Sequence, residues 1–294
     1  MVQFKSIDEL QDKLTANKYI ADRSLATAIF LAHKLQRPLL LEGEAGVGKT
    51  EVGKVLAAIH DTELIRLQCY EGLDVHHAVY EWNYTRQMLN IRLHENQDSE
   101  ITEEDLFSEA FLIERPLLKA LRSEHQAVLL IDEIDRSDVE FEAFLLEMLS
   151  DFQVTIPEIG TIQAKHAPIV VITSNRTREI HDALKRRCIY HWIDYPSFEK
   201  ELEIVTAKNP GIQQKLAKAI TGFVQELREA DLYKTPGVAE TLDWASALLA
   251  LDQKMVDAET IEATLGVLLK YQDDIQSVQE AGIEKILERS MEGN

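Results

Sequence analysis

The stretch Gly43-Glu44-Ala45-Gly46-Val47-Gly48-Lys49-Thr50 decides the architecture. It satisfies the spacing G-x-x-x-x-G-K-[ST]. In that pattern glycines let the backbone curl so that several N–H groups point inward at phosphate oxygens, and the following helix adds its positive end. Lys49 is placed to reach the β and γ phosphates, and the Thr50 hydroxyl to ligate Mg2+. The nucleotide-binding set read from the sequence is Gly43, Glu44, Ala45, Gly46, Val47, Gly48, Lys49, Thr50 and Glu51. The flanks agree with it. Pro38-Leu39-Leu40-Leu41 is a continuous apolar run of the kind found in buried parallel strands, and Val52, Val55, Leu56 and Ile59 repeat with helical spacing. Strand, loop and helix follow in the required order.

Upstream, Ser6-Ile7-Asp8-Glu9 carries the hydroxyl and carboxylate three apart that start a short helix, and a second helix is expected from about Asp22 to Gln36. Downstream, Leu64 to Cys69 is expected as a strand. Between Glu71 and Leu93 the alternations Tyr80, Trp82, Tyr84 and Leu89, Ile91, Leu93 predict strand pieces. A helix is expected from Thr102 and another from Pro116. Ser137-x-x-Glu140 is expected to cap a helix whose Phe141, Phe144, Leu145, Met148 and Leu149 share one face. Phe152 to Ile156 and Thr161 to Gln163 flank Pro157 to Gly160 as a hairpin. Ile169 to Thr173 reads as a strand, about Arg178 to Arg187 as a helix, and Tyr190 to Ile193 as a last strand. Beyond Pro196 the pattern is helical, with Ser197 as a cap and Leu216, Ile220, Phe223, Val224 and Leu227 on one stripe. Alternating strands and helices followed by helices alone predict an α/β doubly wound parallel sheet, with the phosphate loop marking the P-loop NTPase type, then a helical domain. The expected domains are residues 1–196 and 197–294.

Val128-Leu129-Leu130-Ile131-Asp132-Glu133 is an apolar strand ending in two acids. Asp132, at the C-terminal edge where ligands collect in such sheets, can hold Mg2+ directly or through water; Glu133 can polarise the attacking water. Phosphoryl transfer is mainly positioning and charge stabilisation, so one acid on the metal and its neighbour on the nucleophile is the division of labour hydrolysis needs.

The phosphate loop, the run Leu130 to Arg136, the polar Thr173-Ser174-Asn175 after a third strand and the trailing helices together resemble AAA+ ATPases, and within them the MoxR family. Gln68 to Asp74 and Ala183 to Cys188 are similar to the CoxD type, linked to carbon monoxide dehydrogenase maturation. The resemblance implies an insertion at about 71–93 in the second helix and a hairpin insertion at about 152–163. It implies that Asn175 positions the attacking water and that Arg187, or alternatively Arg186, enters a neighbouring subunit's site as an arginine finger. A finger acting in trans requires a homo-oligomeric ring, most simply a hexamer. The implied partners are a von Willebrand factor A domain protein and a metalloenzyme client, and the implied cofactors are ATP and Mg2+. The family also supplies an arginine after a Ser/Thr-Pro step early in a lid helix. Thr235-Pro236-Gly237-Val238-Ala239-Glu240 offers none, so either Lys234 substitutes or the lid does not read the γ-phosphate through a cation.

Composition bounds the rest. A chain of 294 residues, 45% hydrophobic, is ample for a packed core and for about two domains. Fifty-one acidic against 31 basic residues give a net charge of −20, which opposes a broad grip on nucleic acid or an anionic membrane. No apolar run approaches the roughly 18 residues of a membrane span. Cys69 and Cys188 form no C-x-x-C, and a reducing cytoplasmic compartment is expected. His76 and His77 are expected as surface or packing residues, and Tyr80, Trp82 and Tyr84 as core with a binding role left open. A nucleic-acid-linked ATPase such as a restriction subunit and a P-loop kinase are the alternative functions; stimulation by DNA favours the first, transfer to a small acceptor the second.

Overall fold

The computed structural model describes residues 4–94 and 102–292. They pack as two compact units. Of the described residues, one unit holds those up to Leu10, from Arg23 to Glu42 and from Thr50 to Trp192; the other holds Gln11–Asp22, Gly43–Lys49 and those from Ile193 to Glu292.

The first unit is built on a five-stranded sheet of β1 (Leu39–Gly43), β2 (Leu64–Gln68), β5 (Val128–Asp132), β8 (Ile169–Ser174) and β9 (Ile189–Ile193). Its order is β2-β5-β8-β1-β9. The pairs β2–β5, β5–β8 and β8–β1 are all parallel. The central strands are buried on both faces, every residue of β1 and β5 included, which is why they read as unbroken apolar runs. Helices cover the sheet, and Arg23–Leu35, Lys49–His60, Pro116–Arg122 and Val139–Asp151 turn their apolar stripes inward. Parallel pairing puts the C-terminal ends of β1, β5 and β8 on one edge, where such sheets bind ligands.

Two small antiparallel ribbons stand beside this sheet. β3 (Tyr80–Trp82) pairs with β4 (Leu112–Glu114), and β6 (Gln153–Ile156) with β7 (Gly160–Gln163), the hairpin the sequence predicts. The second predicted strand piece, through Leu89, Ile91 and Leu93, is instead a helix, Tyr84–His94. Its inward position is taken by Gln87, which donates to the Leu106 carbonyl at 2.6 Å, while Tyr84, Met88, Leu89 and Leu93 are exposed. A helix with its polar side inward has no apolar periodicity of the usual kind, so the short alternation mimics a strand.

Two further boundaries differ from expectation. The cap of Val139–Asp151 is Asp138, whose carboxylate accepts from Phe141 N–H at 2.8 Å; the Ser137 hydroxyl turns back to the Ile134 carbonyl. The helix expected from Arg178 runs only over Asp182–Arg187. Residues 175–181 are held out of helical form by side-chain bonds, among them Arg178 to the Ser137 carbonyl and His181 N–H to the buried Glu142.

The second unit contains Phe198–Lys208, Gln214–Arg228, Val238–Ala250, Ala258–Leu268, Gln272–Ala281 and Ile283–Glu292. Its core gathers the predicted stripe Leu216, Ile220, Phe223, Val224 and Leu227 with Trp244, Leu248, Ile261 and Leu265. Trp244 is wholly buried, and its indole N–H is satisfied by the Thr264 hydroxyl at 2.8 Å. Among the described residues no helix is long and apolar enough to cross a membrane.

Candidate active site

The loop that joins β1 to the helix Lys49–His60 needs its glycines. Gly43, Gly46 and Gly48 have φ of 155°, 78° and 94°, where a side chain is strained, and a Cβ at Gly43 would stand 2.2 Å from the Ile193 carbonyl oxygen. Lys49 is buried, and its ammonium donates to the Gly43 carbonyl at 2.8 Å and the Glu44 carbonyl at 2.6 Å. The Tyr19 hydroxyl donates to the Gly48 carbonyl at 3.5 Å. The loop thus curls round its own lysine, and its glycines let the backbone turn where φ is positive and pass close to the Ile193 carbonyl.

Thr50, one residue further on, belongs to the first unit and to a separate group of side chains. Its hydroxyl donates to Asp132 Oδ1 at 3.0 Å. The same oxygen accepts from Thr173 Oγ1 at 2.5 Å, while Oδ2 accepts from Arg66 through Nε at 3.0 Å and Nη2 at 2.5 Å. Asp132 is 2% exposed, so this ring of donors is what permits a charged carboxylate there. A threonine hydroxyl beside a carboxylate is an all-oxygen pair, which suits Mg2+, a hard cation that keeps several of its own waters.

Glu133 follows in a left-handed conformation, φ 56°, ψ 52°, unusual for a residue with a Cβ. Conformations of that kind cost on the order of 1 kcal/mol or more and persist where surrounding bonds over-determine them. Here its N–H donates to Thr173 Oγ1 at 2.9 Å, so one threonine fixes both acids. The Glu133 carboxylate accepts from Asn175 Nδ2 at 3.4 Å, Gln68 Nε2 at 3.1 Å and Arg136 Nε at 2.8 Å. Thr50, Asp132, Glu133 and Asn175 therefore meet at the C-terminal edge of the sheet.

Behind them lies Asp135, 3% exposed, which accepts from the N–H groups of Asn175 and Thr177 at 3.1 and 2.9 Å and from Thr177 Oγ1 at 2.7 Å. Burial by itself raises the Asp135 pKa; the Thr177 hydroxyl and the two backbone donors outweigh it and hold the carboxyl below its ordinary value. Its structural effect is to anchor the chain just after β8, and with it Asn175.

Arg187 is not part of this group. Its guanidinium donates to the Leu146 carbonyl and Ser150 Oγ on Val139–Asp151. Arg186 is exposed, and its side chain shows no hydrogen bond or ion pair among the described residues. Lys185 is 3.7 Å from Glu42 Oε2, a carboxylate buried at the end of β1 that also accepts from Ser174 Oγ at 3.3 Å.

The amino-acid pattern of the AAA domain, dynein-related subfamily, matches residues 38–188, just over half of the chain and the whole span from β1 to Cys188. The chain belongs to this AAA family. Two uncharacterized staphylococcal proteins are similar along about three quarters of their length. One, from Staphylococcus haemolyticus, is 26% identical over 72% of this chain and 76% of its own; the other, from Staphylococcus epidermidis, is 26% identical over 69% and 72%. Among solved structures, a point mutant of Thermotoga maritima RuvB superposes with a TM-score of 0.50 at 19% identity, covering 93% of this chain and 75% of that one, a likeness of fold. The P-loop AAA+ architecture expected from the sequence is the one observed.

In this AAA domain the residues that sequence reasoning misses are those that orient the acids. Arg66 and Gln68 lie on β2, and the register opposes Gln68 to Asp132. Thr173 reads in the sequence only as part of a polar strand end. Gln68 and Thr173 fall inside stretches that carry the resemblance and Arg66 in none, but their role toward the acids is set by pairing between distant strands. Of the remaining candidates, Tyr80 and Trp82 are core while Tyr84 is exposed. His77 pairs with Asp74 at 2.7 Å, and no cluster of three His, Cys, Asp or Glu poised for a metal exists among the described residues. Cys69, buried next to the acids, has its thiol pushed up to about 12, by burial first and then by Asp132, Asp135 and Glu133.

Proposed function

We propose that this AAA chain hydrolyses ATP with Mg2+, and that the observation carrying the proposal is the meeting of Thr50, Asp132, Glu133 and Asn175 at the sheet edge. The residues Gly43 to Glu51 form the nucleotide-binding set, their N–H groups turned to phosphate and Lys49 exchanging loop carbonyls for phosphate oxygens. Thr50 and Asp132 would hold Mg2+, which supplies charge neutralisation at the phosphates. Glu133 takes the proton of the attacking water, and Asn175, bonded to that carboxylate, holds water and base in one alignment. Gln68 and Arg136 fix the carboxylate's direction.

The reading extends to assembly and role. AAA domains of this kind act in rings, and Arg187, with Arg186 as alternate, is proposed as the finger that stabilises transition-state charge in a neighbouring subunit. Residues 1–196 act as the nucleotide-binding domain, with insertions at about 71–93 and 152–163, and 197–294 as the helical lid. The MoxR-like wording of residues 130–136 and the CoxD-like wording of 68–74 and 183–188 support a chaperone role in a cytoplasmic metalloenzyme's maturation, with a von Willebrand factor A domain partner. The net charge of −20 disfavours a nucleic-acid motor. Equilibrium binding of ATP and mass measurement with and without it provide the test. Lys49→Ala should abolish binding, and Arg187→Ala or Arg186→Ala should leave binding intact while abolishing turnover. A fully active monomer would refute the ring, and unimpaired binding by Lys49→Ala would refute the site.

A further inference from the structure

The Thr235-Pro236 step, after which the resemblance implies an arginine early in a helix, is followed by Gly237. Gly237 precedes the helix Val238–Ala250 with φ −82° and ψ 179°, extended backbone that any residue adopts. Conformation does not demand glycine there; space does. A Cβ at 237 would stand 2.7 Å from the Ala45 carbonyl oxygen and 3.0 Å from Gly46 Cα. From the other side, a Cβ at Gly46 would meet Glu240 Oε2 at 2.9 Å and Gly237 Cα at 3.3 Å. Across this bare contact the Ala239 N–H donates to the Gly46 carbonyl at 3.0 Å. Two glycines therefore bring the start of a helix onto the backbone of the phosphate loop.

The cationic alternative does not fit the same geometry. Lys234 is exposed, its backbone N–H goes to Asp274 Oδ2 at 3.2 Å, and its ammonium has no hydrogen bond or ion pair among the described residues. Nor is the helix's positive end open to phosphate: Glu240 caps it, accepting from Gly237 N–H at 2.9 Å. What remains is the backbone. A peptide unit is planar, so the carbonyl of Gly46 and the N–H of Val47 turn together. When loop N–H groups reorient toward phosphate, the Gly46 oxygen reorients with them, and the helix start bonded to it must follow or break. The start is stiff on its own side, since Arg228 Nε donates to the Pro236 carbonyl at 2.8 Å and Thr241 Oγ1 to Glu201 at 2.7 Å.

We infer that the helical unit reads the bound nucleotide through the phosphate loop's own backbone, with Gly237 a positioning residue that lets the helix start meet Gly46. This rests on the ATP reading above. The test is amide hydrogen exchange of the full chain, with and without Mg-ATP, followed at Ala239 and at the loop. In the wild type ATP should change exchange at Ala239 by about fivefold or more, the factor carried by one backbone hydrogen bond. In Gly237→Ala that response should vanish while ATP still protects the helix that follows Lys49. Lys234→Ala should respond as the wild type does. An unchanged Ala239 response in Gly237→Ala, or a wild type that binds ATP without any response at Ala239, would overturn the inference. So would loss of the response in Lys234→Ala. If Gly237→Ala fails to fold, the wild-type response alone decides. Absence of ATP binding by the wild type would sink the nucleotide reading, and this inference with it, and is distinguished by the loop showing no protection.

Discussion

Replacing Arg228 by methionine isolates the ion pair it forms with the buried Glu201. Glu201 is 0% exposed and receives Arg228 Nη1 at 2.6 Å and Nη2 at 2.7 Å, with further donors from Gln225 at 2.7 Å and Thr241 at 2.7 Å. The guanidinium also lies over the Tyr195 ring at 4.8 Å and holds the Pro236 carbonyl. Attraction between the two ions is offset by the cost of taking both out of water, so the intact pair adds little net stability. Removing one partner leaves a carboxylate buried without a counter-charge, which costs about 3–5 kcal/mol. At about 4–8 °C per kcal/mol for a unit of about 100 residues, the transition of the helical unit should fall by ~12 °C or more. The double variant Glu201→Leu/Arg228→Met removes both charges. Gln225 and Thr241 keep the carbonyls of Pro196 and Gly237 as acceptors, so most of the loss should be recovered. Urea and thermal unfolding followed by far-UV circular dichroism read both variants. A single variant within about 1 kcal/mol of wild type, or a double variant no better than the single, would refute the reasoning.

Three further outcomes follow from the site. Thr177→Val removes the hydroxyl donor of Asp135 and should cost about 1 kcal/mol at neutral pH, read by urea unfolding. Because the folded-state pKa of Asp135 lies below its ordinary value, its stabilisation is complete above about pH 4. It is lost as the pH falls through the folded value, so Asp135→Asn should be less stable at pH 7 and show a flatter acid limb; an identical limb would contradict the assignment. Cys69 and Cys188, with thiols pushed to about 12 by burial, should resist alkylation at pH 8 in the native protein and react once unfolded in urea; rapid native labelling would contradict the burial.

What the sequence discloses and what it withholds divide along a physical line. The phosphate loop and the pair Asp132-Glu133 are legible because backbone demand and chemistry both act over a few consecutive residues. The β hairpin over residues 153–163 and the helical C-terminal third are legible from periodicity. The partners of the acids are not. Arg66, Thr173 and the Asp135–Thr177 bonds arise from parallel register between strands about 40 or 60 residues apart, and local pattern carries no record of register. The helix Tyr84–His94 reads wrongly as strand because its buried side is polar, and Ser137 reads wrongly as the cap because Asp138 competes one residue on. The lack of an arginine in residues 235–240 is visible, but the closeness of Gly237 to Gly46 comes only from the fold.

The central claim is that Glu133 serves the attacking water while Lys49 and its loop hold the nucleotide. Single-turnover retention of labelled ATP tests it most directly. Glu133→Gln should bind Mg-ATP as tightly as the wild type and keep it uncleaved, with hydrolysis slowed roughly 10²–10⁴-fold. Hydrolysis at the wild-type rate in that variant would contradict the account.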